Sequence, residues 1–243
     1  MYRGLRVVAI TTVHNEAERL AWVLERVPGD VVDEVIVVDD GSTDGSGKLA
    51  RSLGARVVER SERGGVGRAA RDALALVRAE SWDVVVAIAG NGKDDPLEIP
   101  RLLAPLAEGA EFVMGSRWLS AEDGEAGPRG AFPVHRRIGT KLHPWLVGLV
   151  AGKRISESTN GFRAFRAHVL ADPRIDVEQP WLRGYELEVY LLVKVLRLGY
   201  ASCEVPVTKR YPSRGESYTK MRSLRDWWGL LRPLFWLGTG LRR

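Results

Sequence analysis

The sequence predicts an α/β domain with a mostly parallel, twisted sheet flanked by helices. Three observations predict it. Short β-branched runs alternate with helix-spaced stretches through the first 115 residues. The connections between them are short. The polar residues able to do chemistry cluster just after strands rather than along helices. Strand–helix alternation with short crossovers is the pattern of parallel βαβ units, and in such sheets ligands bind beyond the carboxyl ends of the strands.

Each element follows from local pattern. Residues 5–11 carry the apolar run Val7-Val8-Ala9-Ile10 and read as the first strand, with a helix over 16–27. Residues 34–38 form the second strand and 43–53 a helix. Residues 56–59 are a third strand, 66–80 have helical spacing, and 83–89 read as a buried strand. A helix over 97–108 and a strand over 111–114 complete the regular half. Beyond it, 120–130 is small, polar and glycine-rich and is expected to be a flexible loop. Residues 134–150 look helical and 161–166 extended. Residues 185–198 form a strong helix stopped by Gly199, and 202–208 a strand. The end, 221–237, is helical despite Pro233.

Composition removes several classes. The chain has 243 residues, is 28% charged and 45% hydrophobic, and has one cysteine, Cys203. That length and balance fit one large globular unit and exclude wholesale disorder. A lone cysteine excludes an intramolecular disulfide and a cysteine-based zinc cage. No segment reaches the roughly 20 apolar residues that span a bilayer, and the first apolar run is too short for a signal peptide. The expectation is a cytoplasmic protein. The net charge of +5 hides a gradient: residues 1–116 carry 14 basic and 19 acidic side chains, residues 117–166 carry 9 and 4, and residues 209–243 carry 9 and 2. An anionic partner for the second half is one reading and a solvated basic face the other.

The most informative segment is Val35-Ile36-Val37-Val38-Asp39-Asp40-Gly41-Ser42-Thr43-Asp44. A buried strand delivers two carboxylates to its tip, where they are costly unless they bind something, and Ser42, Thr43 or Asp44 can cap the next helix. The spacing mimics the start of an EF-hand loop, but the twelfth position is Arg51 where a bidentate Glu is needed, so calcium is rejected. The glycine cluster Arg63-Gly64-Gly65-Val66-Gly67-Arg68 lacks a P-loop ending and follows the wrong strand for a dinucleotide fingerprint. It reads as a tight turn opening a helix.

Taken with Thr12-Val13-His14-Asn15-Glu16 after the first strand, Gly115-Ser116-Arg117, Thr159-Asn160-Gly161-Phe162-Arg163-Ala164-Phe165 and Glu204-Val205-Pro206-Val207, the chain resembles family 2 glycosyltransferases of the GT-A fold. The match is near the dolichyl- or polyprenyl-phosphate sugar synthase branch and covers about residues 5–215. It implies a single GT-A (Rossmann-like) domain over 1–215, with a donor-nucleotide half, 1–116, and an acceptor half, 117–215. A basic amphipathic helix, 216–243, follows.

The resemblance further implies an inverting transfer of a sugar from a nucleotide diphosphate donor, with a polyprenyl phosphate as leading acceptor. A glycan or small-molecule hydroxyl is the alternative. Thr12, His14, Asn15, Glu16, Asp39 and Asp40 would hold the nucleotide; a carboxylate suits the N–H donors of uracil or guanine. After the fourth strand the family places Asp-x-Asp for Mg²⁺ or Mn²⁺. Here the positions are Ala89 and Asn91, within Ala89-Gly90-Asn91-Gly92-Lys93-Asp94-Asp95-Pro96. Hard cations favour anionic oxygens, so weak metal dependence is expected, with Asp94 and Asp95 as fallback ligands. Gly90, Asn91 and Lys93 would meet the diphosphate, and Lys93 would neutralise it as it leaves.

Arg117, Arg136 and Arg163 are the acceptor-phosphate candidates, since guanidinium forks suit phosphate. Arg117 also carries a catalytic expectation. A phosphate acceptor needs no strong base; a hydroxyl acceptor would, and Glu186 is then the candidate. Residues 209–217 read as a basic mobile segment. On the last helix Leu224, Trp227, Trp228, Leu231, Leu234 and Phe235 share a face, with Arg222, Arg225 and Arg232 opposite and Trp236 the exception. That pattern suits a membrane surface, and packing on the domain or on a second copy in a homodimer equally. Two rivals remain: a sugar nucleotidyltransferase, which wants a Gly-, Arg- and Lys-rich loop after the first strand, and a non-catalytic nucleotide-sugar binder. No nucleic-acid-binding module is recognisable.

Overall fold

The computed structural model describes residues 1–121, 127–130, 134–211 and 224–241, with backbone alone at 134–136 and 224–226. Elements β1 (Val7–Val13), α1 (Ala17–Arg26), β2 (Glu34–Asp39), α2 (Ser46–Ser52), β3 (Arg56–Glu59), α3 (Val66–Ala79), β4 (Val84–Ala87), α4 (Ile99–Ala107) and β5 (Phe112–Ser116) follow the expected order. Then come β6 (Gly127–Arg129), α5 (Val134–Ala151), β7 (Arg163–Arg166), α6 (Glu186–Arg197), β8 (Ser202–Pro206), β9 (Thr208–Arg210) and α7 (Leu224–Thr239).

Seven strands make one sheet in the order β3-β2-β1-β4-β7-β5-β8. β1, β2, β3 and β4 pair in parallel, as do β5 and β8; β7 lies antiparallel between β4 and β5. Strand period explains the two-sided core. Val8 and Ile10 of β1 face the cluster that holds α3 and α6, while Val7 and Ala9 face the cluster that holds α4. Successive strand side chains point to opposite faces, and β1 is buried on both, so its run is continuously apolar. Each fully buried Val or Leu contributes about 1.5–3 kcal/mol.

Three expectations are corrected. α2 begins at Ser46, not near Thr43, because the Asp44 carboxylate accepts from Ser46 N–H (3.0 Å) and Ser46 Oγ (2.6 Å). The preceding Thr43 N–H is taken by Asn15 Oδ1 at 2.7 Å. The expected flexible loop over 120–130 contains β6, which pairs in parallel with β9; residues 122–126 lie outside the described residues. The expected strand over 202–208 is two strands, broken at Val207 where the chain leaves β8 for β9. Gly199 ends α6 as expected, at a φ of +79° that favours glycine.

α7 divides the broad apolar face read from its helical wheel. Leu230, Leu234 and Leu237 are buried in the same cluster as β1 and α6, whereas Trp228 and Phe235 are about half exposed and Trp227 and Leu231 only slightly less so. Trp236, expected as the exception, packs edge-on against Trp181, 4.7 Å between ring centroids. The cause is an inward ion pair: Arg232 lies over Trp181 and Trp236 and reaches Glu186 Oε1 at 2.7 Å. Arg222, and the side chains of Leu224 and Arg225, lie outside the described residues. No helix among the described residues is long and apolar enough to cross a membrane.

Candidate active site

One cleft of about 700 Å³ lies beyond the carboxyl ends of β1, β2, β4 and β5. β1 delivers Thr12, His14 and Glu16 to its wall, and β2 delivers Asp40. The turn after β3 contributes Arg63, Gly64 and Gly65, and the loop after β4 contributes Gly90, Asn91 and Lys93. Arg117 follows β5; Lys209 and Tyr211 come from β9 and its exit. Glu186 and Glu188 open α6, and Gly139, Thr140, Trp227 and Leu230 come from α5 and α7.

The Asp39-Asp40 pair does bind something, but the partners are the protein's own amides. Asp40 accepts from Gly64 N–H (2.7 Å) and Gly65 N–H (2.8 Å), with the Arg60 guanidinium 3.1 Å away. It thereby fixes the glycine turn against the cleft. A Cβ at Gly41 would stand 2.9 Å from Arg63 N, so the close approach needs glycine there. Asp39 accepts from Ser42 N–H at 2.8 Å and faces α2, where a Cβ at Gly47 would stand 2.6 Å from its Oδ2. It is not on the cleft wall. Neither is Asn15, whose Oδ1 and backbone latch onto the Ser42-Thr43 turn. His14 Nδ1 sits 2.9 Å from the Asp40 carbonyl, turning the ring's other edge to the cleft. Alternation puts Asp39 and Asp40 on opposite faces of the sheet, but β2 is apolar on both, so the sequence does not say which face meets the cleft.

At the other end lies a buried ionic network. Arg117 donates through Nε to Glu157 Oε2 at 2.5 Å, through Nη2 to Thr159 Oγ1 at 3.3 Å, and through Nη1 to the Tyr211 hydroxyl. Burial opposes its charge, but Glu157 and Tyr211 outweigh burial and its pKa lies above the ordinary arginine value. The other Glu157 oxygen accepts from the amides of Ser158, Thr159 and Asn160 (2.7–3.1 Å), which holds that loop beneath Arg117. Lys209 is 7% exposed and donates from Nζ to Asp94 Oδ1 (2.5 Å) and Asn160 Oδ1 (2.7 Å). Burial pulls its pKa below the ordinary lysine value, against the pull of Asp94.

Arg163 is the expected acceptor residue that the geometry redirects. Its guanidinium donates to the carbonyls of Asn160 (2.9 Å), Glu188 (2.8 Å) and Ser158 (2.8 Å), so it braces backbone and leaves the wall to Arg117. Arg136 is on α5, and its side chain lies outside the described residues. Glu186 does line the cleft, clamped by Arg232 and by Gly184 N–H at 2.7 Å. Glu188, which the sequence reading passed over, also lines it, and burial raises its carboxyl pKa. Two residues on from Glu186 and about 200° around the helix, it gave no reason to place both on one wall.

The expected mobile basic segment is corrected over its first three residues. Lys209 and Arg210 belong to a strand whose backbone is tied to the loop after β4, Arg210 N–H to Lys93 O at 2.8 Å, and Tyr211 N–H donates to Arg129 O at 2.7 Å. Residues 212–217 lie outside the described residues.

A divalent ion, which the fold family implies, does not fit the side chains present. Ala89 has no ligand atom, and Asn91 Oδ1 accepts from Lys93 N–H at 3.2 Å. Of the fallback carboxylates, Asp94 is paired with Lys209. Asp95 caps Leu97 N–H (3.2 Å) and pairs with Arg210 (2.6 Å) and Arg26 (3.3 Å). Asp94 Oδ2 is buried without a hydrogen-bond partner, and one such oxygen does not make the octahedral shell that Mg²⁺ requires. Among the described residues no group of three or more His, Cys, Asp or Glu side chains could hold a metal.

The profile described as glycosyl transferase family 2 matches residues 8–167. An undecaprenyl-phosphate mannosyltransferase of Micrococcus luteus is 30% identical over 219 residues, 88% of this chain and 87% of that protein. A polyprenol monophosphomannose synthase of Mycolicibacterium smegmatis is 28% identical, over 91% of this chain and 83% of its own. Among solved structures, glucosyl-3-phosphoglycerate synthase from Mycobacterium tuberculosis, in complex with Mn²⁺, UDP and glucosyl-3-phosphoglycerate, superposes with a TM-score of 0.64. It is 25% identical, over 97% of this chain and 79% of that one. With the parallel sheet, the cleft at its strand tips and a family match over most of the chain in hand, the chain belongs to glycosyl transferase family 2 and is a glycosyltransferase of the GT-A fold.

Proposed function

We propose that this enzyme transfers a hexose from a nucleoside diphosphate sugar to a polyprenyl phosphate presented at a membrane surface, with inversion. The observation that carries the reading is the continuity of the cleft with an apolar platform. α5 and α7 run side by side in the same direction. A Cβ at Gly139 would touch the Trp227 ring, His143 Nε2 meets the Leu230 carbonyl at 3.1 Å, and Gly238 packs on Val150.

Ile138, Leu142, Trp145 and Leu149 lie one position before or beside that α5 contact series, and Trp228, Leu231 and Phe235 one position after the α7 series. On parallel helices, opposite offsets of about 100° turn to the same side. These side chains are 38–63% exposed and make one face, with Arg137 and Lys141 exposed beside it. Gly139, Thr140, Trp227 and Leu230 line the cleft at the inner edge of that face. An isoprenoid chain leaving the cleft there would enter an apolar layer, and the flanking cations suit anionic lipid. The undecaprenyl phosphate named for one relative and the polyprenol monophosphomannose named for another favour the same acceptor.

The chemistry follows from charge. Thr12, His14, Glu16 and the glycine turn clamped by Asp40 receive the nucleotide; Gly90, Asn91 and Lys93 receive its diphosphate. Arg117 has five N–H groups, three of them engaged, which leaves donors for the acceptor phosphate. A phosphate oxygen is anionic at neutral pH and attacks the anomeric carbon without a base. The nucleoside diphosphate leaves from the opposite face, so the configuration inverts.

A second reading rests on Glu188. Its carboxyl, pushed up by burial, is a base in position for a hydroxyl acceptor. Transfer assays with UDP-, GDP- and dTDP-sugars separate the two. Product with a polyprenyl phosphate, and none with the matching polyprenol or with 3-phosphoglycerate, is expected. Transfer to hydroxyl acceptors alone would replace this reading with the second. Anionic vesicles should pellet the enzyme, and Leu142→Ser with Phe235→Ser should weaken pelleting by about 10- to 100-fold.

A further inference from the structure

We propose that Lys209 is a built-in counter-cation for the donor diphosphate, set by Asp94 and Asn160 against the loop where the family resemblance implies a divalent ion. The inference rests on the donor assignment above and adds to it the group that replaces the metal.

Position comes first. β9 is fastened to the loop after β4 at three points: Arg210 N–H to Lys93 O (2.8 Å), Arg210 to Asp95 Oδ2 (2.6 Å) and Lys209 Nζ to Asp94 Oδ1 (2.5 Å). The ammonium therefore stands beside the loop in which Ala89 and Asn91 occupy the expected aspartate positions. Lys209 lines the cleft together with Asn91, Lys93 and Arg117. An ammonium has three donors, and protein oxygens take two of them. The third remains for a ligand in the cleft.

A purely structural ion pair accounts for less. Burying Lys and Asp together is commonly no more stabilising than apolar side chains of the same volume, and it helps only when every polar atom finds a partner. Here Asp94 Oδ2 is buried without a hydrogen bond, and one Lys209 N–H is left over. Arg117 is close enough to help depress the Lys209 pKa. Two cations held near one another in a buried site gain from anions brought to them, and the donor diphosphate at Lys209 beside the acceptor phosphate at Arg117 supplies these. In the transfer, the bond between the anomeric carbon and the diphosphate oxygen breaks and its electron pair stays on that oxygen. Lys209 meets the developing charge with a hydrogen bond and gives up no proton. The new bond forms from the acceptor oxygen to the anomeric carbon.

The test is calorimetry of UDP-, GDP- and dTDP-sugars with EDTA and with Mn²⁺, followed by the best-bound nucleotide as its mono- and diphosphate. One donor should bind equally in EDTA and in Mn²⁺. Lys209→Met with Asp94→Asn removes both charges together and so strands neither; it should weaken diphosphate binding roughly 10- to 100-fold and leave the monophosphate within about twofold. A double variant that folds and binds the diphosphate like the parent would make Lys209 structural and overturn the inference. If the variant does not fold, the parent protein still decides: donor binding only with Mn²⁺ would overturn the inference while leaving the donor assignment standing. No nucleotide sugar bound in either condition would remove the donor assignment and the inference with it.

Discussion

Asp39 and Asp40 follow β2, Asp94 and Asp95 follow β4, and the two pairs are held by different chemistry. The first pair accepts mainly from backbone amides at Ser42, Gly64 and Gly65, with Arg60 near one oxygen. The second is held by side-chain cations, Lys209 on Asp94 and Arg210 with Arg26 on Asp95. Amides leave a carboxylate its charge and use it to set the path of a loop. Cations cancel the charge and are themselves brought to a place they would not otherwise occupy. Adjacent aspartates at a strand tip thus identify a built site without identifying its ligand; what faces them decides whether the site organises backbone or delivers positive charge to the cleft.

The comparison breaks most visibly at Asp94. Asp94→Ala leaves the Lys209 ammonium buried without its counter-charge, and removing one partner of a buried pair costs about 3–5 kcal/mol. Urea unfolding should show that loss. Asp94→Asn keeps an acceptor for Nζ and should recover part of it. A loss below about 1 kcal/mol for Asp94→Ala would mean that water reaches the pair and that the two acidic pairs do not differ in kind.

Asp40→Ala is the matching change on the amide-held side, and its expected cost is smaller. The Gly64 and Gly65 amides lose their acceptor at a turn bordering the open cleft, where water can replace part of the bonding, so about 1–3 kcal/mol is expected. The functional effect should exceed the structural one. With the glycine turn released, the wall that receives the donor loses its shape, and donor affinity should fall with little change in binding of the acceptor phosphate. Equal losses for donor and acceptor would mean that the turn supports the whole cleft.

This asymmetry also explains what could be read in the sequence. The β2 tip was legible as a place, two carboxylates ending an apolar strand, but not its partners, because the Gly64 and Gly65 amides lie 24 and 25 residues on. Strands β1, β2 and β4 were legible as largely apolar, β-branched runs alternating with helices of clear period. Lys209 was not, because Asp94 lies 115 residues away and a lysine in a basic stretch looks solvated until the sheet brings the two together. β6, three residues containing Gly and Pro, has no period to detect and exists through its pairing with β9. The wheel of α7 carries apolar side chains on more than one side, and the Arg232–Glu186 contact between distant segments selects which side is buried. Sequence pattern located the cleft through strand tips; long-range ion pairs determined which of its residues face inward.

Glu98 offers the finest test, because it is a buried carboxylate just before α4 that faces the same β9 segment with neutral donors as its close partners. Its oxygens accept from Thr208 N–H at 3.1 and 2.8 Å and from Thr208 Oγ1 at 3.0 Å, while the nearest cation, Arg101, stands 3.6 Å away. Burial raises its pKa above the ordinary 4.5, outweighing the Thr208 hydrogen bonds. The folded state therefore keeps this proton at pH values where the unfolded chain has lost it. Its contribution to stability is fully present below about 4.5 and declines as pH rises through the folded value. Glu98→Gln, which cannot ionise and still accepts from Thr208, should remove that decline and change stability at neutral pH by no more than about 1 kcal/mol. Unfolding measured from pH 4 to pH 8 should give curves for parent and variant that converge at the acid end and separate above it, the variant being the more stable. If the parent instead gained stability relative to the variant with rising pH, the Thr208 donors would be holding Glu98 as a carboxylate, and a neutral clamp would serve a buried charge as well as the cations do at Asp94.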